Sequence, residues 1–312
     1  MLRFVIGEKL TVIVTGAAGM LGSRVLQEYR AIGRNDVLGI SRVDFDLRQD
    51  DRLRAFLHEK NATTVIHCAA KVGGIGDNVK HPVQYLSENL AIDNSVIMSS
   101  LDVGVKNLIY IGSSCMYPKD LAKDLHEDDL LSGLLEPTNE GYALAKIVGS
   151  KLCEYISEQF HLNYRTVIAS NLYGPGDNFS VESGHLVASV IRKSIQAMKN
   201  GVETIDVWGD GTARREFTFV GDLAKWLVSV SGNISDLPQY LNVGAGVDYS
   251  VDEYYTIAME CLGVNFELKH DTSKPNGMHS KLMDSSNAMK NHNWKPETSI
   301  FAGISSVIDK LK

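Results

Sequence analysis

An aliphatic, β-branched run at residues 10–15 leads at once into Gly16, Gly19 and Gly22, spaced three apart, and then into helical composition over 23–32. Few local patterns restrict a chain more. A strand that must turn within a few residues into a helix needs glycine, and the turn leaves backbone N–H groups exposed at the helix N-terminus. Such a site takes anions, a pyrophosphate above all. The strand, the turn and the helix together predict dinucleotide binding by Gly16, Ala17, Gly19, Met20, Leu21 and Gly22. Glycine turns also join strands to helices where no ligand binds. The position after the first strand and before the first helix favours the cofactor.

The alternation continues along the chain. Strands are expected at 37–41, 64–68, 107–112 and 164–169, and helices at 50–60, 87–101 and 141–160. Strand and helix in turn mean a parallel sheet covered on both faces, an α/β fold of the Rossmann doubly wound kind. From Ser170 the texture changes, with turn residues crowded into 171–178. Helices follow at 185–200 and 222–231, a short strand at 204–208, a helix to 262 opened by a Ser250–Glu253 capping box, a strand at 265–269 and a terminal helix at 299–312. Residues 1–170 are therefore expected to form the dinucleotide-binding domain, with 216–241 returning to it. Residues 171–312 are expected to form mainly a smaller α/β substrate lobe.

The end of the second strand selects the dinucleotide. An acid there binds the ribose 2′-hydroxyl of NAD, whereas a basic residue suits a 2′-phosphate. This chain has Ser41 and Arg42, with Asp44 only later. NADPH is favoured, with Arg42 on the phosphate; the other reading of Arg42 is a solvated loop residue. Asp46 and Leu47 are expected near the adenine. Ala69, Ala70 and Lys71 follow the third strand, where small residues let a cofactor approach.

Tyr142 and Lys146 lie four apart in a helical segment and so share one face. A lysine beside a tyrosine lowers the phenol's pKa. A phenol tuned this way and hydrogen-bonded to Ser113, at the end of the fourth strand, can exchange a proton with a carbonyl oxygen. By itself a Tyr-x-x-x-Lys pair is common in helices; the dinucleotide site upstream gives it weight. A net charge of −7 without a basic run argues against nucleic acid. No apolar run reaches membrane-spanning length, and residues 1–10 carry Arg3, Glu8 and Lys9 without a leader pattern. Cys68, Cys115, Cys153 and Cys261 lie far apart with no metal-ligand spacing, which points to free thiols, no metal and a cytoplasmic setting.

The glycine turn, Ser113, Tyr142 and Lys146 resemble the extended short-chain dehydrogenase/reductases. Within that group, Ala69-Ala-Lys-Val-Gly-Gly-Ile75, Gly112-Ser-Ser-Cys-Met-Tyr-Pro-Lys119, Leu135-Glu-Pro-Thr-Asn-Glu140, Asn171-Leu-Tyr-Gly-Pro175 and Val207-Trp-Gly-Asp-Gly211 resemble the GDP-L-fucose synthases. The resemblance implies 3,5-epimerisation and 4-keto reduction of a GDP-sugar with NADP(H). It implies Cys115 and His185 as base and acid at carbon, and Ser113 and Tyr142 on the keto oxygen. Lys146 would hold the ribose, with Asn171 and Leu172 beside the nicotinamide and His185 also among the cofactor-binding residues. Ser114, Asn171, Lys193, Trp208, Arg215 and Lys281 would hold the nucleotide diphosphate sugar. Members often pair two long helices from each subunit, so a homodimer is expected. Departures from the pattern are Ala169 with Ser170, Phe219, Gly221, Asn276 and Ser280. They cluster around the substrate lobe and leave open a sister enzyme acting on another GDP-4-keto-deoxy sugar, such as the colitose precursor. A cofactor-binding sensor without chemistry and a simple 4-epimerase fit the set Ser113, Cys115, Tyr142, Lys146 and His185 less well.

Overall fold

The first strand, β1 (Val12–Thr15), is buried along its whole length, and its neighbours explain why. The computed structural model describes residues 11–119, 121, 124–181, 183–273 and 280–311. Leu10, expected to begin the first strand, Asn276 and Lys312 lie outside them. On one side β1 pairs in parallel with β2 (Leu38–Ile40), on the other with β3 (Thr64–His67). The ladder continues through β4 (Asn107–Ser113) and β5 (Asn163–Ala169) to β9 (Tyr240–Val243), giving a six-stranded parallel sheet in the order β2-β1-β3-β4-β5-β9.

Alternate residues serve opposite faces. Val12, Val14, Ile66, Ile109 and Val167 pack under α1 (Met20–Ala31) and α7 (Val220–Val230). Ile13, Val65, Leu108 and Tyr110 pack under α2 (Asp50–Glu59), α4 (Pro82–Asp102) and α5 (Glu140–Phe160). Parallel strands covered on both faces have no polar side, and each fully buried aliphatic side chain contributes roughly 1.5–3 kcal/mol. The short α3 (Ile75–Lys80) precedes α4. Connections leave β1 in one direction and β3 in the other, so a crevice opens at the C-terminal ends of these two strands.

The second lobe has its own core. A three-stranded sheet runs β10-β8-β6, from β6 (Asn171–Tyr173), β8 (Arg214–Phe219) and β10 (Asp248–Ser250). A two-stranded parallel ribbon joins β7 (Thr204–Trp208) to β11 (Glu267–Asp271). Around Tyr173, Ile191, Phe217, Tyr254 and Ile304 pack α6 (Leu186–Asn200), α8 (Val251–Leu262) and α10 (Ile300–Leu311).

Chain crossings between the lobes differ from expectation. The return to the large sheet begins at α7, not at residue 216, because β8 pairs with β10 and β6. A second, unexpected return brings α9 (Ser286–Asn291) and Trp294 onto the same face. Trp294 is fully buried, and its indole N–H donates to the Gly244 carbonyl at 2.6 Å. Helix α4 starts five residues earlier than expected, because Pro82 has the φ that a first turn needs. No helix among the described residues is long and apolar enough to cross a membrane.

Candidate functional site

The cradle forms where β1 meets α1. Gly16 has φ +69°, and a Cβ there would lie 2.8 Å from the Ala69 backbone. A Cβ on Gly22 would lie 2.3 Å from the Gly16 carbonyl oxygen. These two glycines therefore let strand, turn and helix pack in contact. Gly19 caps α1 without a side chain, and Met20, Leu21 and Gly22 make a first turn free of acids. Its open N–H groups fit a pyrophosphate. The Ala17 N–H donates to the Ile40 carbonyl at 3.0 Å, fixing the turn to β2. Across the crevice the Ala69 N–H donates to Thr15 Oγ1 at 3.4 Å, and Ala70 and Lys71 follow. Asn89 clamps the Lys71 backbone from both sides, at 2.8 and 3.1 Å, while the Lys71 ammonium pairs with Glu88 at 2.9 Å.

Beyond β2, Arg42 is exposed on a turn held by Ser41, whose N–H and hydroxyl both donate to Asp44 at 2.8 Å. Asp46 is engaged by the Arg48 guanidinium, at 2.5 Å, which takes its carboxyl down to about 2. Arg42 adds to that field, so two guanidinium groups stand on this side where one was expected. Leu47 is buried in the core under α2 and α4.

At the end of β4, Ser113 caps a short turn by accepting from the Cys115 N–H at 3.2 Å. The Ser114 hydroxyl is buried with no hydrogen-bond partner among the described residues. Asn139, just before α5, donates its amide to Cys115 Sγ at 3.1 Å. Tyr142 and Lys146 project from the first turns of α5. One expectation is overturned. Burial, with Cys115 and Asp93 adding to it, pushes the Tyr142 phenol well above its usual range, and the hydrogen bond to Ser113 only partly opposes this. The Lys146 ammonium, 2% exposed, lies 3.6 Å from the Asp93 carboxylate and 4.5 Å from the centre of the Tyr110 ring. Arg215 approaches the same corner. Burial pulls its guanidinium below the usual range, against the pull of Glu136 and Cys115.

The second lobe supplies the rest. His185 precedes α6, with Nδ1 3.2 Å from Asp177 Oδ1. Its loop is tied over the crevice by the Gly74 N–H donating to the Ser183 carbonyl at 2.9 Å. Asn171 donates to the Glu216 carbonyl at 3.0 Å, and Leu172 packs against the core of the large sheet. Lys193 donates to the Asp206 carbonyl at 2.6 Å, and burial lowers its pKa. Trp208 ends β7 and is largely exposed. Lys281 is nearly buried on a strap whose Met283 bridges to Leu125.

Three of the departures have local reasons. A Cβ on Gly221 would meet the Phe219 ring at 2.7 Å, so this glycine makes room for that phenylalanine. Ser170 shares a 2.7 Å hydrogen bond with Thr218, and Ser280 donates to Asp248 at 3.0 Å. Asp93, Asn139, Asp177 and Glu216 were given no role from the sequence, although Asn139 lies in the Glu-Pro-Thr-Asn-Glu stretch and Glu216 in the Arg215-Glu-Phe217 stretch that resemble the family.

The profile of the NAD dependent epimerase/dehydratase family matches residues 12–244. The chain is 41% identical over 300 residues to the GDP-L-fucose synthase of Azorhizobium caulinodans, covering 96% of this chain and 95% of that one. It is 38% identical over 297 residues to the GDP-L-colitose synthase of Yersinia pseudotuberculosis, covering 95% and 96%. Its structure is similar to that of a GDP-mannoheptose C4 reductase of Campylobacter jejuni solved with NADP bound. There the TM-score is 0.87 and the identity 26%, over 98% of this chain and 99% of that one.

Proposed function

Because the chain belongs to the NAD dependent epimerase/dehydratase family, we propose that it uses NADPH to convert GDP-4-keto-6-deoxy-D-mannose to GDP-L-fucose. Two carbons, C3 and C5, would be epimerised before C4 is reduced. The observation that carries this reading is the Cys115 thiol, held by Asn139 at 3.1 Å and hydrogen-bonded through its backbone to Ser113. A plain ketoreductase needs Ser113, Tyr142 and Lys146 but has no use for a placed thiol.

The residues divide the work. Gly16, Gly19 and the first turn of α1 would hold the pyrophosphate, and Arg42 with Arg48 would suit a 2′-phosphate. Lys146, Asn171 and Leu172 would lie toward the nicotinamide end. When bound, NADPH supplies hydride to C4. The 4-keto group acidifies the protons at C3 and C5, Cys115 removes one, and Ser113 and Tyr142 stabilise the enolate oxygen. His185, oriented by Asp177, returns a proton on the opposite face. Tyr142 then protonates the C4 oxygen. In the second lobe, Lys193, Arg215 and Lys281 suit the diphosphate, Trp208 offers a stacking face and Ser114 a free hydroxyl.

A second reading, a sister enzyme on another GDP-4-keto-deoxy sugar, is favoured by the Yersinia relative and by the departures at Phe219, at the end of β8, at Gly221, in the first turn of α7, and at Ser280, beside Asp248. Presenting both sugars with NADPH in deuterated water separates the readings. Turnover of the 6-deoxy-mannose derivative to a fucose product, with deuterium at C3 and C5, is expected; preference for the other sugar would favour the sister enzyme. Cys115→Ser and His185→Asn should lose deuterium incorporation while still binding NADPH. Incorporation at the native rate in both would leave a ketoreductase.

A homodimer fits α4 and α5, which together expose Val83, Leu144, Val148 and Tyr155. Sedimentation equilibrium checks it, with a monomer at micromolar concentration as the contrary result. Four free cysteines suit action in the cytoplasm.

A further inference from the structure

Asn139 stands at the start of α5 and does not do what an asparagine there usually does. Asparagine is favoured at this position because its side-chain oxygen can accept from the open N–H groups of the first turn. Asn139 makes no such bond. Its backbone, at φ −139° and ψ 20°, is away from the extended geometry in which a side chain caps. Its Oδ1 is buried with no hydrogen-bond partner among the described residues. Its Nδ2 donates instead to Cys115 Sγ at 3.1 Å. The turn before it is braced. The Asn139 N–H donates to the Glu136 carbonyl at 3.2 Å, and the Thr138 hydroxyl donates to Glu136 Oε1 at the same distance. The Asn139 carbonyl still accepts from the Ala143 N–H, at 3.0 Å. Otherwise the thiol packs against the apolar cluster of Met116, Leu135, Ala143 and Ile147. A helix start that leaves a cap unmade and a buried carbonyl unpaired is less stable for it. Folding alone therefore gives no reason for this amide to face the sulfur.

We propose that Asn139 is the positioning residue of the carbon base: its amide fixes the Cys115 sulfur and favours the thiolate over the thiol. The inference rests on the reading of Cys115 as base. A hydrogen bond from an amide N–H strengthens as its acceptor gains negative charge. The Arg215 guanidinium lends the sulfur a favourable field, and Asn139 adds the directed contact. In epimerisation the thiolate takes a proton from the carbon beside the C4 ketone. The C–H electron pair becomes the C=C bond of the enolate, and the carbonyl π pair passes to oxygen. His185 then delivers a proton to the opposite face as the ketone re-forms, and solvent returns thiol and imidazole to their starting states. Hydride transfer at C4 asks nothing of the thiol. Asn139 should therefore matter to exchange at carbon and not to the redox step. An amide turned the other way, with Oδ1 toward the sulfur, would accept from S–H and hold the thiol protonated. Its removal would then speed the reactions of the thiol.

The test compares the native protein with Asn139→Ser and Asn139→Asp. Alkylation of Cys115 by iodoacetamide near neutral pH is followed by the mass of its peptide, with Cys115→Ser as the blank. It should slow at least about threefold in Asn139→Ser and at least about tenfold in Asn139→Asp, where a carboxylate replaces the donor. Deuterium incorporation at C3 and C5 of the 4-keto sugar should fall at least as far, with KM for the sugar changed less than about threefold. Oxidation of GDP-L-fucose by NADP⁺ calls on Ser113, Tyr142 and Lys146 but on no base at carbon. Its rate, and the affinity for NADPH, should stay within about threefold of native. If the aspartate variant does not fold, the serine variant decides. Alkylation at the native rate or faster in the folded variants overturns the proposal. A parallel loss of cofactor binding and of the redox step overturns it too, by making Asn139 a folding residue. Native-rate exchange in Cys115→Ser would instead overturn the reading of the base, independently of the alkylation rates.

Discussion

Lys146, which has a part in the proposed chemistry, is also tied into the buried core. Its ammonium is enclosed with Asp93, so Lys146→Met removes a cation and leaves a buried carboxylate without its counter-charge. Loss of one partner of such a pair costs about 3–5 kcal/mol, whereas loss of both is far milder. Chemical denaturation should therefore show Lys146→Met markedly destabilised and Lys146→Met with Asp93→Asn largely recovered, while both stay inactive. Equal stability of the two variants would mean that the pair is screened. The spacing of Tyr142 and Lys146 could be read directly, because four residues is one helical turn. Asp93 could not. It lies 53 positions before Lys146 in a polar-looking stretch of α4, and only the packing of α4 on α5 turns it inward.

Whole elements were legible where their signal was local. The runs that became β1, β3, β4 and β5 are β-branched and apolar because they are covered on both faces, and the glycine turn after β1 is confined to seven residues. Strands β6 and β10 escaped, since three residues each are too few to carry a periodicity. The glycine turn also supports a sharp contrast between two substitutions. A methyl group on Gly22 would sit 2.3 Å from the Gly16 carbonyl, with backbone on both sides. Gly22→Ala should cost about 1–3 kcal/mol through overpacking and weaken NADPH binding at least tenfold, as followed by nucleotide fluorescence. Gly33 has φ +80° with nothing within 4 Å of its absent Cβ. Gly33→Ala should cost about 1 kcal/mol in backbone strain and leave the cofactor affinity unchanged. A cofactor affinity unmoved by Gly22→Ala would place the pyrophosphate elsewhere.

At the scale of the whole molecule, Glu216 joins distant segments. Its carboxylate accepts from the Gly246 N–H at 2.7 Å and from the Met283 N–H at 3.1 Å. Burial raises it from 4.5 to about 7, against those donors. A raised carboxyl favours the folded state most below its unfolded pKa and loses that advantage as pH rises through the folded one. Stability should thus fall by up to about 3 kcal/mol between pH 4.5 and 7 and then level off. Denaturant midpoints across that window should flatten in Glu216→Gln; an unchanged slope would assign the dependence to other groups. Asp46 and Asp93, both held low, act in the opposite sense at more acidic pH. The same chain crossings that place Glu216 have a longer consequence. The large sheet takes its sixth strand, α7 and Trp294 from sequence that follows the first entry into the second lobe. No single pair of crossover points can exchange one lobe between genes and keep the other whole. Exchange of a whole lobe as an appended module is therefore shut out here, and change must come by substitutions in place, where neighbours have to fit one another as Phe219 and Gly221 do.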